Sequence, residues 1–302
     1  MTINTGSFSK ALWPGVNAWY GKEYSEFKVE WTELFDQFTS RKAFEEDVGV
    51  SSFGLAQVKP EGQGVQYDTE IQAFITRYTH IVYGLGFIVT QEAFDDDLYD
   101  VIAEKRARGL AFSMRQTKET VGANVYNRAF TTGYTGGDGS VMIVTSHANA
   151  IGGTWSNKLS VAANLSEAAL EQAHIDIGKY TNDRGLKIKV IPQKLIIPVD
   201  LQFQAERILN SVLRVGTANN DPNALRNLGM LPGGVAMNHY LTSTTAWFLK
   251  TDVKDGMKYF SRKDDSFTED NDFDTENAKF KATGRYSFGW TDPRAVYGTP
   301  GV

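Results

Sequence analysis

Thr90-Gln91-Glu92-Ala93-Phe94-Asp95-Asp96-Asp97-Leu98 opens a run that continues through Val101-Ile102, Lys105-Arg106-Ala107-Arg108 and Leu110 to Phe112, Met114, Val121, Val125, Tyr126 and Phe130. Phe94, Leu98, Val101/Ile102 and Ala107/Leu110 fall at three-to-four spacing, as do Leu110, Met114, Val121 and Val125, so the run predicts one long amphipathic helix. Thr90 is placed to cap it. Acids crowd the first turns and bases follow, the order that suits the helix dipole and i,i+4 pairing. Forty helical residues would span roughly 60 Å, against about 11–12 residues in an ordinary globular helix. Gly109 and Gly122 are the positions where it would bend. By itself the run fits a long core or coiled-coil helix, or a strut in a flat, extended subunit; its flanks decide between them.

The flank before it changes character at Val48. From there to Val89 the chain reads as strand, interrupted by Pro60-Glu61-Gly62-Gln63-Gly64, a flexible turn. Arg77–Tyr83 and Gly84–Val89 are rich in β-branched and aromatic residues. A lone hairpin is marginal in water, so one that projects this far is expected to find partners on another subunit. Upstream, Phe27, Trp31, Leu34, Phe35 and Phe38 form the aromatic face of a predicted short helix starting at Glu23. Residues 1 to 20 set Phe8, Trp13, Trp19 and Tyr20 among Gly, Ser and Asn, an arm that packs either on its own domain or on a neighbour.

After the long helix, Val141–Val144 predicts a short buried strand. Ser166 caps a helix whose face is Leu170, Ala173, Ile177 and Tyr180, with Leu165 and Leu170 as a hydrophobic staple and Gly185 as its stop. Ile188–Ile191 and Leu195–Ile197 read as strands, 200–213 as a helix, 215–234 as a long loop, and Val235–Leu241 and Ala246–Lys250 as strands. The charged run of residues 261 to 277 reads as a solvated loop. Lys279–Trp290 alternates as a strand expected to join the sheet beside the long helix.

Composition excludes several classes of function. The 302 residues carry no cysteine, so neither a disulfide nor a thiolate metal site forms. Net charge is −5, against tight whole-surface nucleic-acid binding but suited to a surface lying near DNA. No apolar run reaches membrane-spanning length, and the N-terminus has no signal pattern. The four histidines, 80, 147, 174 and 239, lack zinc-site spacing. The glycines of residues 131 to 140 are not followed by Gly-Lys-Ser/Thr, so that segment is read as a plain loop. Ser146-His147 are sequence neighbours with no nucleophile elbow, and are read as structural. Asp270, Asp272 and Asp274 begin like a calcium loop, but Thr275 and Lys281 stand where Gly and Glu are needed. No catalytic, cofactor-binding or metal-binding residue is assigned, and no enzyme activity is expected.

The order of parts, an arm, a projecting hairpin, a long helix, a mixed lobe and a returning strand, resembles the major capsid protein of tailed bacteriophages, with its α+β Hong Kong 97 fold. Residues 145–166 (Thr-Ser-His-Ala-Asn … Gly-Gly-Thr-Trp-Ser-Asn … Leu-Ser) and 256–294 (Gly-Met-Lys-Tyr-Phe … Arg-Tyr-Ser-Phe-Gly-Trp-Thr-Asp-Pro-Arg) resemble head subunits of the Mu-like type. The resemblance implies an N-terminal arm and short helix at 1–47 and an extended hairpin, the E-loop, at 48–89. It places the peripheral (P) domain with its spine helix at 90–140 and 256–302, and the axial (A) domain at 141–255. It implies self-association as pentamers and hexamers into an icosahedral shell. Scaffolding, portal and decoration proteins are the implied partners, with packaged double-stranded DNA held by weak non-specific contact and no membrane. No long charged helical segment stands before residue 20, so a separate scaffolding protein is expected, unless a processed segment is missing from this chain. Lys59 lies near the hairpin tip, but no crosslink is predicted. An encapsulin-like compartment shell of the same fold is the alternative, and a hydrolase built on Ser146, His147 or Asp270 a third reading.

Overall fold

The computed structural model describes residues 20–22, 25, 28–90, 92, 99–213, 221–272 and 277–302. The expected arm therefore lies outside the described residues except for Tyr20, which is buried and stacks on Phe267 at 4.9 Å between centroids. Tyr20 thus packs on its own subunit.

Helix α1 is short, Trp31–Leu34, and the chain turns extended at Phe35 to form β1, Asp36–Thr39. The helical aromatic face expected through Phe38 is corrected here. β1 runs parallel to β10 (Met257–Asn271), with Phe38 opposite Phe260. Pairing satisfies the backbone groups of an otherwise open sheet edge, and that overrides the local helical period.

β2 (Phe44–Val50) and β3 (Gln72–Thr79) form the antiparallel hairpin, from Phe44↔Thr79 to Val50↔Gln72. The two-stranded excursion expected over Val48–Val89 thus starts earlier and closes earlier. β4 (Ile81–Val89) leaves the hairpin at His80 and pairs with β11 (Ala278–Trp290). One sheet has the order β1-β10-β11-β4, and the C-terminal strand lies beside the long helix as expected.

That helix, α2, runs Tyr99–Asn127, about 44 Å at 1.5 Å per residue. The acidic turns expected at 93–98 lie outside the described residues. Its buried stripe is Ala107, Leu110, Ala111, Met114, Lys118, Glu119, Ala123 and Tyr126. Val121 and Val125, expected on that stripe, sit half-buried at its edge. Gly122 is needed for close approach, since a Cβ there would meet Trp31 and Phe288 at 3.2 and 3.3 Å.

Val141–Val144 is not a strand. Met142 and Ile143 are buried, but the Ile143 amide bonds the Ala129 carbonyl and the Val144 amide bonds Asn157 Oδ1. A loop and a side chain satisfy this backbone in place of a ladder. β5 (His147–Ala148) and β6 (Thr154–Trp155) make a small hairpin. Helix α3 (Glu167–Gly178) is capped as expected, Ser166 Oγ accepting the Ala169 amide at 3.2 Å, but it stops at Gly178 rather than Gly185. Ile188–Ile191 forms no strand, while Pro192–Ile197 is β7. A 3₁₀ turn at Val199–Leu201 leads into α4, Gln202–Asn210. Inside the expected long loop lies α5, Ala224–Asn227. β8 is Val235–Met237, β9 Trp247–Thr251 and β12 Val296–Thr299.

The sheet β12-β9-β7-β8 is buried on both faces. Trp247, Leu249, Leu195, Ile197 and Tyr297 face α3 and α4; Phe248, Ile196, Ala236 and Val296 face Phe35, Tyr126 and Met257. This is the period-two alternation of a strand, used here to join two cores.

The charged run 261–277 is also corrected. Through Asn271 it is strand, paired with β11 as far as Asn271↔Ala278. Asp270 faces Lys279 across the ladder, an opposite-charge pair that stabilises a sheet.

Candidate functional site

The hairpin is the feature that stands apart from the cores. Its base is fastened by a polar cluster. Asp47 on β2 pairs with Lys258 on β10 and accepts from Thr291 Oγ1 at 2.7 Å. Tyr78 Oη and Thr291 Oγ1 share a hydrogen bond of 2.7 Å, and burial pushes the Tyr78 hydroxyl well above its ordinary range. His80 Nδ1 lies 2.9 Å from Ser287 Oγ, and Arg285 Nε donates to the His80 carbonyl at 3.2 Å. The glycine-rich segment 131–140 has a part in this: a Cβ on Gly137 would lie 2.7 Å from the Ile75 carbonyl oxygen, and one on Gly136 2.7 Å from Trp290 Nε1. Its glycines seat the hairpin base, a role that only the tertiary contact reveals. A cleft of about 340 Å³ between β3, α2 and β11 is lined by Arg77, Tyr83, Asn124, Arg128 and Trp290, among others.

Beyond the base the hairpin is bare. Residues 51–71 carry no strand or helix, only the turn at Glu61-Gly62. Phe53, Leu55, Val58, Val65, Tyr67 and Ile71 are exposed, Val58 at 92% and Tyr67 at 97%. Apolar surface gathered on one projecting element marks an interaction site.

The residues that invited catalytic readings are occupied otherwise. His147 is buried and stacked on Trp155 at 4.7 Å. Its Nδ1 lies 2.6 Å from Asp138 Oδ2 and its Nε2 3.1 Å from Asn157 Oδ1. Asn157 Nδ2 donates to the carbonyls of Met142, Pro293 and Val296, which fixes its amide and leaves Oδ1 as the acceptor. Both ring nitrogens are thus engaged by side chains of the protein itself. In the loop 215–234, residues 215–220 lie outside the described residues. The rest is tied down by buried Asn223, which caps α5 and donates to the Ile208 carbonyl at 2.6 Å. Asp274 lies outside the described residues, and Asp272 pairs with Lys279 at 2.6 Å. His239 Nδ1 meets Glu30 Oε1 at 2.5 Å. Burial lowers the His174 pKa. Among the described residues, no group of three or more His, Asp or Glu is placed to hold a metal, and no helix is long and apolar enough to cross a membrane.

Over residues 74–299, well beyond half its length, the sequence matches the family described as phage capsid protein. The chain belongs to that family. No curated relative matches the sequence of this capsid protein. In structure it is similar to mycobacterium phage Che8, with a TM-score of 0.53, 13% identity and cover of 90% of this chain and 91% of that one. It is similar to the capsid of a native GTA particle, with a TM-score of 0.52, 14% identity and 89% of each chain covered. A virus-like particle from Pyrococcus furiosus gives a TM-score of 0.51 at 10% identity, over 94% of this chain and 97% of that one. At such identities the likeness is one of fold, and the α+β fold of this capsid protein is the Hong Kong 97 fold expected from its sequence.

Proposed function

We propose that this capsid protein is the major head subunit of a tailed double-stranded DNA phage, closing as pentamers and hexamers of itself into an icosahedral shell around the genome. Family membership supports a structural rather than a catalytic role. The observation that carries the reading is the hairpin, whose apolar side chains are exposed, with no cover among the described residues of their own subunit. A second copy supplies that cover, and one repeated interface then generates a closed lattice. In this reading the hairpin of β2 and β3, residues 44–79, acts as the E-loop, α2 as the spine of a P domain made of 90–140 and 256–302 together with β4, and 141–255 as the A domain. The acidic balance, −5 overall, keeps contact with DNA weak. Scaffolding, portal and decoration proteins are the remaining partners, with the virion as destination and the host cytoplasm as the place of assembly. The Pyrococcus particle shares the fold alone and does not favour the compartment-shell alternative.

The test is electron microscopy of the purified chain, alone and co-expressed with its genomic neighbours. Shells of icosahedral outline are expected, and removal of Lys59–Val65 is expected to leave a folded subunit that forms none. A uniform monomer in both preparations, or normal shells without the tip, contradicts the reading.

A further inference from the structure

Where the hairpin leaves its ladder, its neck is tied to a distant turn of the same chain by polar contacts. Arg184 Nη1 lies 3.1 Å from Asp68 Oδ2, and Nη2 donates to the Thr69 carbonyl. Asn182 Nδ2 donates to Ser52 Oγ at 2.7 Å. The turn is built to hold these donors. Asn182 Oδ1 accepts the amides of Arg184 and Leu186 at 3.0 and 2.9 Å, Gly185 supplies the positive φ of 75°, and Thr181 bridges Lys187. Asp68 also closes the neck on itself, accepting the Gly54 and Thr69 amides at 2.8 Å each. Those amides first, and Arg184 after them, hold its carboxyl below the usual range.

These contacts fall on residues 52–54 and 68–69. The ladder ends just inside them at Val50↔Gln72. Just outside them the tip begins, with Leu55, Val58, Val65 and Tyr67 exposed. The neck is thus held by polar groups while the apolar tip stays open.

We propose that Arg184, with Asn182, is a positioning residue that braces the hairpin neck and sets the direction in which the tip meets a second copy of the chain. The proposal rests on the shell-subunit reading. An element ordered before encounter loses less conformational entropy on docking, which favours association without any new contact. A guanidinium suits the task because its planar fork binds a carboxylate and a carbonyl at once. The pair is part-exposed, with Asp68 at 42%, so it adds little to global stability and acts on the hairpin locally.

The test compares wild type with Arg184→Ala, Ser52→Ala and Arg184→Lys. Amide hydrogen exchange is followed on the subunit under non-assembling conditions, and shell formation by light scattering. In Arg184→Ala, exchange at 51–54 and 68–71 is expected to rise roughly tenfold with the thermal midpoint unchanged, and assembly to slow. Ser52→Ala gives a smaller effect of the same sign, and Arg184→Lys falls between Ala and wild type. Unchanged exchange in Arg184→Ala overturns the brace. Faster assembly also overturns it, and makes the contact a restraint that must break. If wild type forms shells and Arg184→Ala forms them equally fast, the brace alone falls. If wild type never forms shells, the shell reading falls and takes the docking role with it.

Discussion

Lys118 Nζ lies 2.9 Å from Asp265 Oδ2, and both side chains are inside the protein. The pair joins the long helix to β10, and the ammonium also sits 5.1 Å from the centroid of the Tyr286 ring. Gly284 makes the room, since a Cβ there would lie 1.9 Å from Asp265 Oδ1. Removing one partner of a buried pair strands the other charge, so Lys118→Met or Asp265→Leu is expected to cost about 3–5 kcal/mol in urea unfolding. The double variant is expected to recover most of that loss, because two apolar groups leave no charge behind. A double variant as unstable as the worse single one would mean that the site is held by packing rather than by charge.

Asn157 is the second point at which one side chain holds several segments. Its amide reaches three carbonyls, the Val144 amide and His147. Asn157→Ala strands several buried groups, and each costs about 1–3 kcal/mol. A loss of at least about 3 kcal/mol in thermal or urea unfolding is expected, with faster proteolysis near 140–157. A loss within experimental error would show that the node contributes no stability.

His80 sits where the hairpin hands over to the core sheet. Burial lowers its pKa, the charges of Arg285 and Arg262 add to that, and Glu45 opposes it. The unfolded chain therefore takes up this proton at a higher pH than the folded one does. The contribution to stability is complete above the ordinary imidazole value of about 6.5 and declines as pH falls from there toward the folded-state value. Protonation would also place an N–H at Nε2, a buried atom without a hydrogen-bond partner among the described residues. Thermal midpoints measured from pH 8 to 5 are expected to fall, with a shallower slope in His80→Gln. An identical slope in the variant would assign the acid sensitivity to other groups.

The parts of the fold legible in the sequence are those whose signal is local. The long helix shows in its three-to-four spacing, the Ser166 cap lies beside the helix it starts, and Lys279–Trp290 alternates as β11 does. The misreadings share a cause. Phe38 continues a helical period by spacing, yet an open edge of β10 draws it into a strand. The run from Ser261 to Asn271 is polar enough for a loop, yet β11 pairs with it on both sides of an irregularity at Arg262–Asp265, where only Lys263 keeps a partner. Val121 and Val125 outbid Lys118 and Glu119 for the buried stripe on hydropathy alone. A charge that finds its partner inside the fold carries no such mark in sequence.

The sequence by itself determined the long helix, a hairpin turning at Pro60–Gly64 ahead of it and the family, since period, turn chemistry and composition are properties of neighbouring residues. Only the tertiary structure decided what the hairpin rests on. Arg184 and Asp68 stand 116 residues apart, and Lys258 and Asp47 stand 211 apart. Contacts at such separations arise when packed sheets bring chain segments together, and no local pattern encodes which charge will face which.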